Sequence, residues 1–278
     1  MAENIVTIKP RKGWAVLNLK ELIQYKDLFY FLVLRDIKVL YKQTILGFMW
    51  AILNPFFNMI VFSVVFGNLA KVPSDGVPYP VFSFAALLPW TYFSQSLMGS
   101  TNSLVTSVNM FTKVYFPRLI IPMTSVFAKL VDFLIAFLML IGMMFYYDIV
   151  PGINLVFIPV LVIIMILTAA GIGMWLSALA IQYRDVKFAM TFLVQLLMYA
   201  APVVWPVSLI EEKFGVMAKL LYGIYPMAGV IEGFRAALLN TREMPWDMIA
   251  IGGLTATFLF VSGIFYYRKM ERIFADVA

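Results

Sequence analysis

Among its 278 residues the sequence has 0 cysteine and 0 histidine, and only 13% of the residues are charged. Without thiols there is no disulfide and no thiolate nucleophile. Without imidazole there is no histidine base, and the usual zinc ligands are missing. No GxxxxGK[ST] stretch occurs, so the chain has no phosphate-binding loop of its own for ATP. There is also no DxD pair to hold a metal for sugar transfer.

What is present is apolar surface: 63% of residues are hydrophobic and the mean hydropathy is +0.90. A water-soluble core of this size needs far more polar covering. Roughly 20 helical residues cross a hydrocarbon slab about 30 Å thick. Six such runs are readable, over 45–69, 80–107, 122–147, 154–180, 187–205 and 247–267. The fold class is therefore an all-α integral membrane protein with six transmembrane helices, read as one domain over 1–278. It comprises a helix at 19–43, a membrane region at 45–267 and a tail at 268–278. The link KVPSDGVPYP separates the first two runs, and APVVWP stops the fifth. Lys9, Arg11, Lys12 and Lys20 precede any long apolar run, which reads as a permanent cytoplasmic segment rather than a cleaved signal.

Basic residues near span ends resist translocation, so their distribution sets orientation. With both termini cytoplasmic, 15 of the 21 Lys and Arg fall inside, 5 fall outside and Lys129 lies within a span. Residues 206–244 hold two stretches that are apolar enough to embed but too short to cross. They read either as half-crossing, re-entrant helices on the outer side or as a hairpin lying in the headgroups. Gly229 and Gly233 would let a neighbouring helix approach, and Glu232 and Arg235 are spaced to pair.

Residues 19–43 form an amphipathic helix with a stripe of Lys20, Gln24, Asp27, Phe31, Arg35, Lys38 and Lys42, opposite Leu22, Phe29, Val33 and Leu40. Such a helix rests in the membrane surface, either as a plain anchor or in an active role. The second span carries Tyr92, Ser96, Ser100 and Ser103 on one face, and the fifth carries Thr191, Gln195 and Tyr199. The first places Asn54 and Asn58 near Trp50 and Phe57. Polar groups in hydrocarbon need partners, so these stripes serve either as glue between helices or as the lining of an aqueous passage. Amides, hydroxyls and ring faces in such a passage would suit a sugar chain. Lys129 and Asp132 are the ionisable pair inside a span, and their spacing lets them neutralise one another. A structural pairing is the simpler reading, since a proton relay calls for more intramembrane carboxylates.

Along its whole length the sequence resembles the membrane subunit of an ABC transporter of the polysaccharide-export class. The matching stretches are LGFMWAILNPFFNMIVFSVVFG at 46–67, LLPWTYFSQSLMGSTNSLV at 87–105 and NMFTKVYFPRLIIPMTSVFAKLVDF at 109–133. They continue with YRDV at 183–186, APVVWP at 201–206, YPMAGVIEGFRAALL at 225–239 and the tail YYRKMERIFADV. Within that class it is most similar to lipopolysaccharide O-antigen export permeases, with teichoic-acid and capsule exporters nearby. The resemblance implies a homodimer in the bacterial inner membrane, paired with two copies of a separate ATPase that binds ATP and Mg. No cofactor in this chain and no nucleic-acid partner are implied; the partners are membrane lipids and a lipid-linked glycan.

The same resemblance makes 19–43 an interface helix and places a coupling helix in the 108–121 link. Asn109, Phe111, Lys113, Tyr115, Phe116 and Arg118 would face the ATPase together with Tyr183, Arg184 and Asp185 of the following turn. Tyr222, Tyr225, Glu232 and Arg235 would belong to an outer gate. Tyr225 stands where the family carries asparagine, which puts the local gate packing in doubt. Two other functions stay open at this point: a small-molecule or drug exporter of related architecture, and a membrane glycosyltransferase acting through a lone Asp148, Asp247 or Glu232.

Overall fold

A computed structural model describes residues 23–42, 47, 49–111, 113–240, 242–271 and 274. Residues 19–22 and 43 of the expected interface helix, and most of the tail beyond Glu271, lie outside the described residues. Every regular element described is helical. These are α1 (Lys26–Tyr41), α2 (Met49–Phe62, continuing as a π-helix over Ser63–Leu69), α3 (Tyr79–Thr106), the single turn α4 (Val108–Phe111) and α5 (Ile120–Tyr146). A 3-10 turn (Ile153–Phe157) leads into α6 (Ile158–Ala180), followed by α7 (Val186–Ala200), α8 (Ser208–Tyr222), α9 (Pro226–Leu239) and α10 (Trp246–Met270).

Among the described residues, four helices are long and apolar enough to cross a bilayer: Met49–Leu69, Ile120–Tyr146, Ile153–Ala180 and Trp246–Met270. The other two expected spans differ for physical reasons. α3 is long enough at 28 residues, but its serines and amides make it less apolar than those four. α7 has 15 residues and stops at Ala200, short of the expected end at 205, because Ala201 precedes a proline and turns extended (φ -88, ψ 149). α8 and α9 meet at a 113° bend, the geometry of a broken span or re-entrant pair.

α3 is the hub and packs against α2, α5, α6, α7 and α9. Phe133 of α5 sits where three of these helices meet, with Tyr92 of α3 at 5.8 Å and Phe234 of α9 at 6.0 Å. α6 and α10 form the most extensive pair because both carry small residues at their crossing. A Cβ on Gly171 would lie 2.6 Å from the Leu259 backbone, and one on Gly263 would lie 2.5 Å from the Gly171 carbonyl. Close backbone approach of this kind replaces the hydrophobic drive that lipid cannot supply. The expected use of Gly229 holds as well, since a Cβ there would lie 2.8 Å from the Met248 carbonyl of α10.

α1 lies against α5. Its buried side runs through Leu28, Phe29 and Leu32, and Phe29 meets Phe127 edge-on at 5.4 Å. Of the expected apolar face, Phe29 lies on this side and Val33 is half-buried beside it, while Leu40 is exposed and Leu22 lies outside the described residues.

Candidate functional site

The polar stripes divide into two environments. On α3, Tyr92, Ser96, Ser100 and Ser103 are buried inside the single chain. Ser100 enters a notch on α6, where a Cβ on Gly173 would stand 2.4 Å from its hydroxyl. Ser103 donates to the Ser100 carbonyl at 2.6 Å and Thr101 to the Leu97 carbonyl at 2.7 Å, so these hydroxyls satisfy themselves on their own helix. Tyr92 donates to the Val126 carbonyl of α5 at 3.1 Å. The Ser96 and Ser100 hydroxyls have no hydrogen-bond partner among the described residues, and within one chain the α3 stripe is covered by its neighbours.

On α2 and α7, by contrast, the polar and aromatic faces are open. Trp50 is 55% exposed, Phe57 57% and Tyr199 71%. Asn54, Asn58, Thr191 and Gln195 are exposed beside them. Asn58 donates only a long 3.4 Å bond to Asn54. α2 and α7 both pack on α3, so the two faces flank the same hub. Amides left in hydrocarbon cost several kcal/mol each, so these faces call for water or a protein partner.

The end of the bundle that holds the start of α5 and the end of α10 carries the link after α3. The expected surface helix there is the one turn α4. Asn109, Lys113 and Tyr115 are exposed, while Phe111 and Phe116 are buried and pin the link down. Arg118 is held on both sides of its peptide. Its carbonyl accepts from the fully buried Tyr267 at 2.8 Å, and its guanidinium donates to the Glu271 carbonyl at 3.0 Å while lying over the Phe111 ring. Glu271 also pairs with Arg268 at 3.0 Å. Tyr183, Arg184 and Asp185 stand exposed at the tip of the α6–α7 turn. The grip of Tyr267 and Glu271 on Arg118, some 150 residues away, left no sequence signal.

At the opposite end, Arg235 of α9 is 2% exposed and engages four partners. It pairs with Glu232 at 2.8 Å and donates to the Val203 carbonyl at 2.8 Å and the Trp205 carbonyl at 3.2 Å. It also stacks over the Phe82 ring at 3.6 Å. Glu232 accepts from the Val207 amide at 3.2 Å. The proline-broken stretch 201–207 makes one short bond of its own, from the Val203 amide to the Ala201 carbonyl at 2.8 Å, and the ion pair takes up the Val203 and Trp205 carbonyls and the Val207 amide. Tyr222 and Tyr225 donate to the Ala200 and Leu197 carbonyls, capping the end of α7. All four expected gate residues thus converge on one loop.

In the middle of the bundle, Lys129 and Asp132 pair at 3.0 Å, as their spacing predicts. The Tyr41 hydroxyl at the end of α1 donates to the other carboxylate oxygen. Among the described residues, no three carboxylates gather to hold a metal.

A family model described as ABC-2 type transporter matches residues 27–239. The chain is 29% identical over 255 residues to the O-antigen export system permease protein RfbA of Myxococcus xanthus, covering 91% of this chain and 96% of that one. It is 27% identical over 252 residues to the protein of the same name from Klebsiella pneumoniae, covering 90% and 95%. The polysialic acid transport protein KpsM of Escherichia coli is 26% identical over 251 residues, covering 86% and 92%. The family match runs from the first turn of α1 to the end of α9 and takes in both open faces, the link and the Glu232–Arg235 pair; the chain belongs to the ABC-2 type transporter family.

Proposed function

We propose that the chain is the permease of an ATP-driven exporter that carries a lipid-linked polysaccharide, of the O-antigen kind, from the cytosol to the outer face of the bacterial inner membrane. The observation that carries this reading is the pair of open faces on α2 and α7. One chain leaves Trp50, Asn54, Phe57, Asn58, Thr191, Gln195 and Tyr199 uncovered at helices of membrane character. A second copy brought against α2 and α7 closes these faces around a passage lined with ring faces and amides. Such a wall offers stacking and exchangeable hydrogen bonds to a sugar chain and has no fixed charge to trap it. The named relatives are O-antigen and polysialic acid transporters, and both cargoes are long glycans.

In this reading α2, α3, α5, α6, α7 and α10 are the six spans, with α8 and α9 re-entrant between the last two. Both termini face the cytosol, as the 15 to 5 split of basic residues favours. Two ATPase copies dock on the exposed residues of the 109–118 link and on Tyr183, Arg184 and Asp185, and they supply the ATP and Mg chemistry. The 201–207 loop held by Glu232 and Arg235 then lies at the outer mouth.

The test uses single cysteines, which have no background in a chain with 0 Cys. In the assembled transporter, cysteines at 58 and 195 react with aqueous maleimide, and loading with polysaccharide slows that reaction. Failure of both positions to react in every nucleotide state counts against the conduit. Deletion of the gene removing surface glycan while precursor accumulates inside supports the cargo; an unchanged surface rejects it.

A further inference from the structure

At the end of the bundle that carries the Glu232–Arg235 pair, a cavity of about 320 Å³ lies between the α2–α3 loop, α8, α9 and the segment leading into α10. That volume falls within the roughly 300–1,000 Å³ of small-ligand sites. The bend in α8 builds one wall. Glu211 and Lys219 are eight residues apart, which a straight helix would turn into a separation of about 12 Å. Gly215, at φ 80 and ψ 174, folds the helix instead, and Lys219 meets Glu211 at 3.2 Å and Asp247 of α10 at 3.5 Å. From the α2–α3 loop comes Asp75, whose side chain is 10% exposed and is held by Arg242 at 2.9 Å.

The carboxylates of this lining are not used up by its cations. Asp75 gives one oxygen to Arg242, and Glu232 gives one oxygen to both Arg235 and the Val207 amide. Each keeps a second oxygen with no donor among the described residues. Glu243 is exposed at the rim and has no partner among the described residues. Lys219 and Arg242 keep further N–H groups beyond their ion pairs. In all, five carboxylates and three cations line the cavity, so an anionic guest is repelled. A bare metal ion is served no better. Lys219 and Arg242 are interleaved with the acids, and among the described residues no three carboxylates gather to hold one. What fits is a neutral group rich in hydroxyls, because each hydroxyl both donates and accepts. It can give hydrogen bonds to the spare carboxylate oxygens and take them from the spare N–H groups, and both kinds are charge-assisted. A sugar residue is such a group.

We propose that this cavity is a sugar-binding site, with Asp75, Glu232 and Glu243 as acceptors and Lys219 and Arg242 as donors. It shares no residue with the open faces of α2 and α7, so it is a second site and not the conduit itself. Identifying the sugar with a unit of the emerging glycan rests on the export reading. In that reading the cavity adjoins the 201–207 loop through Val207, at the outer mouth. A sugar held there by exchangeable bonds resists sliding back and still permits the next step outward.

The experiment uses the assembled transporter in nanodiscs with Ser208→Cys, a position on the cavity wall of a chain that has 0 Cys. Aqueous maleimide is applied with lipid-free oligosaccharides cut from the cells' own surface polysaccharide, or with spermidine as a purely cationic probe. The oligosaccharides are expected to slow labelling at 208 and spermidine to leave it unchanged. The half-protecting concentration should rise about tenfold when Asp75→Asn is combined with Glu243→Ala, and several-fold with Glu243→Ala alone, an exposed position whose loss leaves the fold intact. Saturation-transfer NMR on the same backgrounds without the cysteine reads binding a second way. Absence of oligosaccharide binding in both readouts overturns the proposal, as does full affinity in the folded Glu243→Ala and combined variants, or protection by spermidine alone. Export is read separately, as surface polysaccharide after gene deletion. Glycan lost on deletion with no protection at 208 rejects this site and keeps the export reading; protection at 208 with an unchanged surface keeps the sugar site and rejects its link to export.

Discussion

The stripe on α3 and the faces on α2 and α7 draw on the same kinds of side chain, yet one set is sealed inside the chain and the other stands open. Ser96 and Ser100 are 0% exposed, whereas Tyr199 is 71% exposed. The difference does not lie in the stripes themselves but in what faces them. Ser100 meets Gly173, whose missing side chain makes room for it, while Gln195 stands exposed. A polar stripe in a membrane helix thus marks a surface that needs company, and only the opposing helix decides whether that company is protein or water.

Four substitutions break or sharpen this contrast. The largest effect is expected from Gly173→Leu, which drives a side chain into Ser100. Overpacking costs about 1–3 kcal/mol, seen as lost monodisperse protein and a lowered unfolding temperature. Gln195→Leu on the open face should leave thermal stability within about 0.5 kcal/mol yet slow glycan export several-fold, measured as surface polysaccharide per transporter. Tyr92→Phe removes the bond to the Val126 carbonyl, and about 1 kcal/mol of stability should go with it. The smallest effect is expected from Ser100→Ala. The Ser100 hydroxyl is buried with no hydrogen-bond partner among the described residues, so its removal should shift stability by less than about 0.5 kcal/mol and leave export unchanged. A strong export defect in Ser100→Ala would place α3 on the passage and erase the contrast.

Much of the helical layout was legible because apolar runs broken by proline and glycine carry their own boundaries. The Glu232–Arg235 and Lys129–Asp132 pairs were legible for the same local reason, a spacing of three on one helix. What lay hidden was everything decided at long range. Arg235 reaches Phe82 and Val203, Lys129 shares its carboxylate with Tyr41, and the α3 serines depend on a glycine some seventy positions later. Hydropathy also overstated α7, since its apolar run continues through Val203 although the backbone leaves the helix at Ala201. Composition reports which residues avoid water; it does not report which partner spares them from it.

The hold of Tyr267 and Glu271 on Arg118 has a mechanical meaning. Phe274 packs against Tyr267 at 5.3 Å and is itself fully enclosed, so the ring whose hydroxyl holds the Arg118 carbonyl is itself pinned. Arg118, at the end of the link, is thereby tied through Tyr267 and Glu271 to the end of α10, and α10 is locked to α6 across the seam where Gly171 meets Gly263. A push on the link therefore meets the resistance of two membrane helices rather than one.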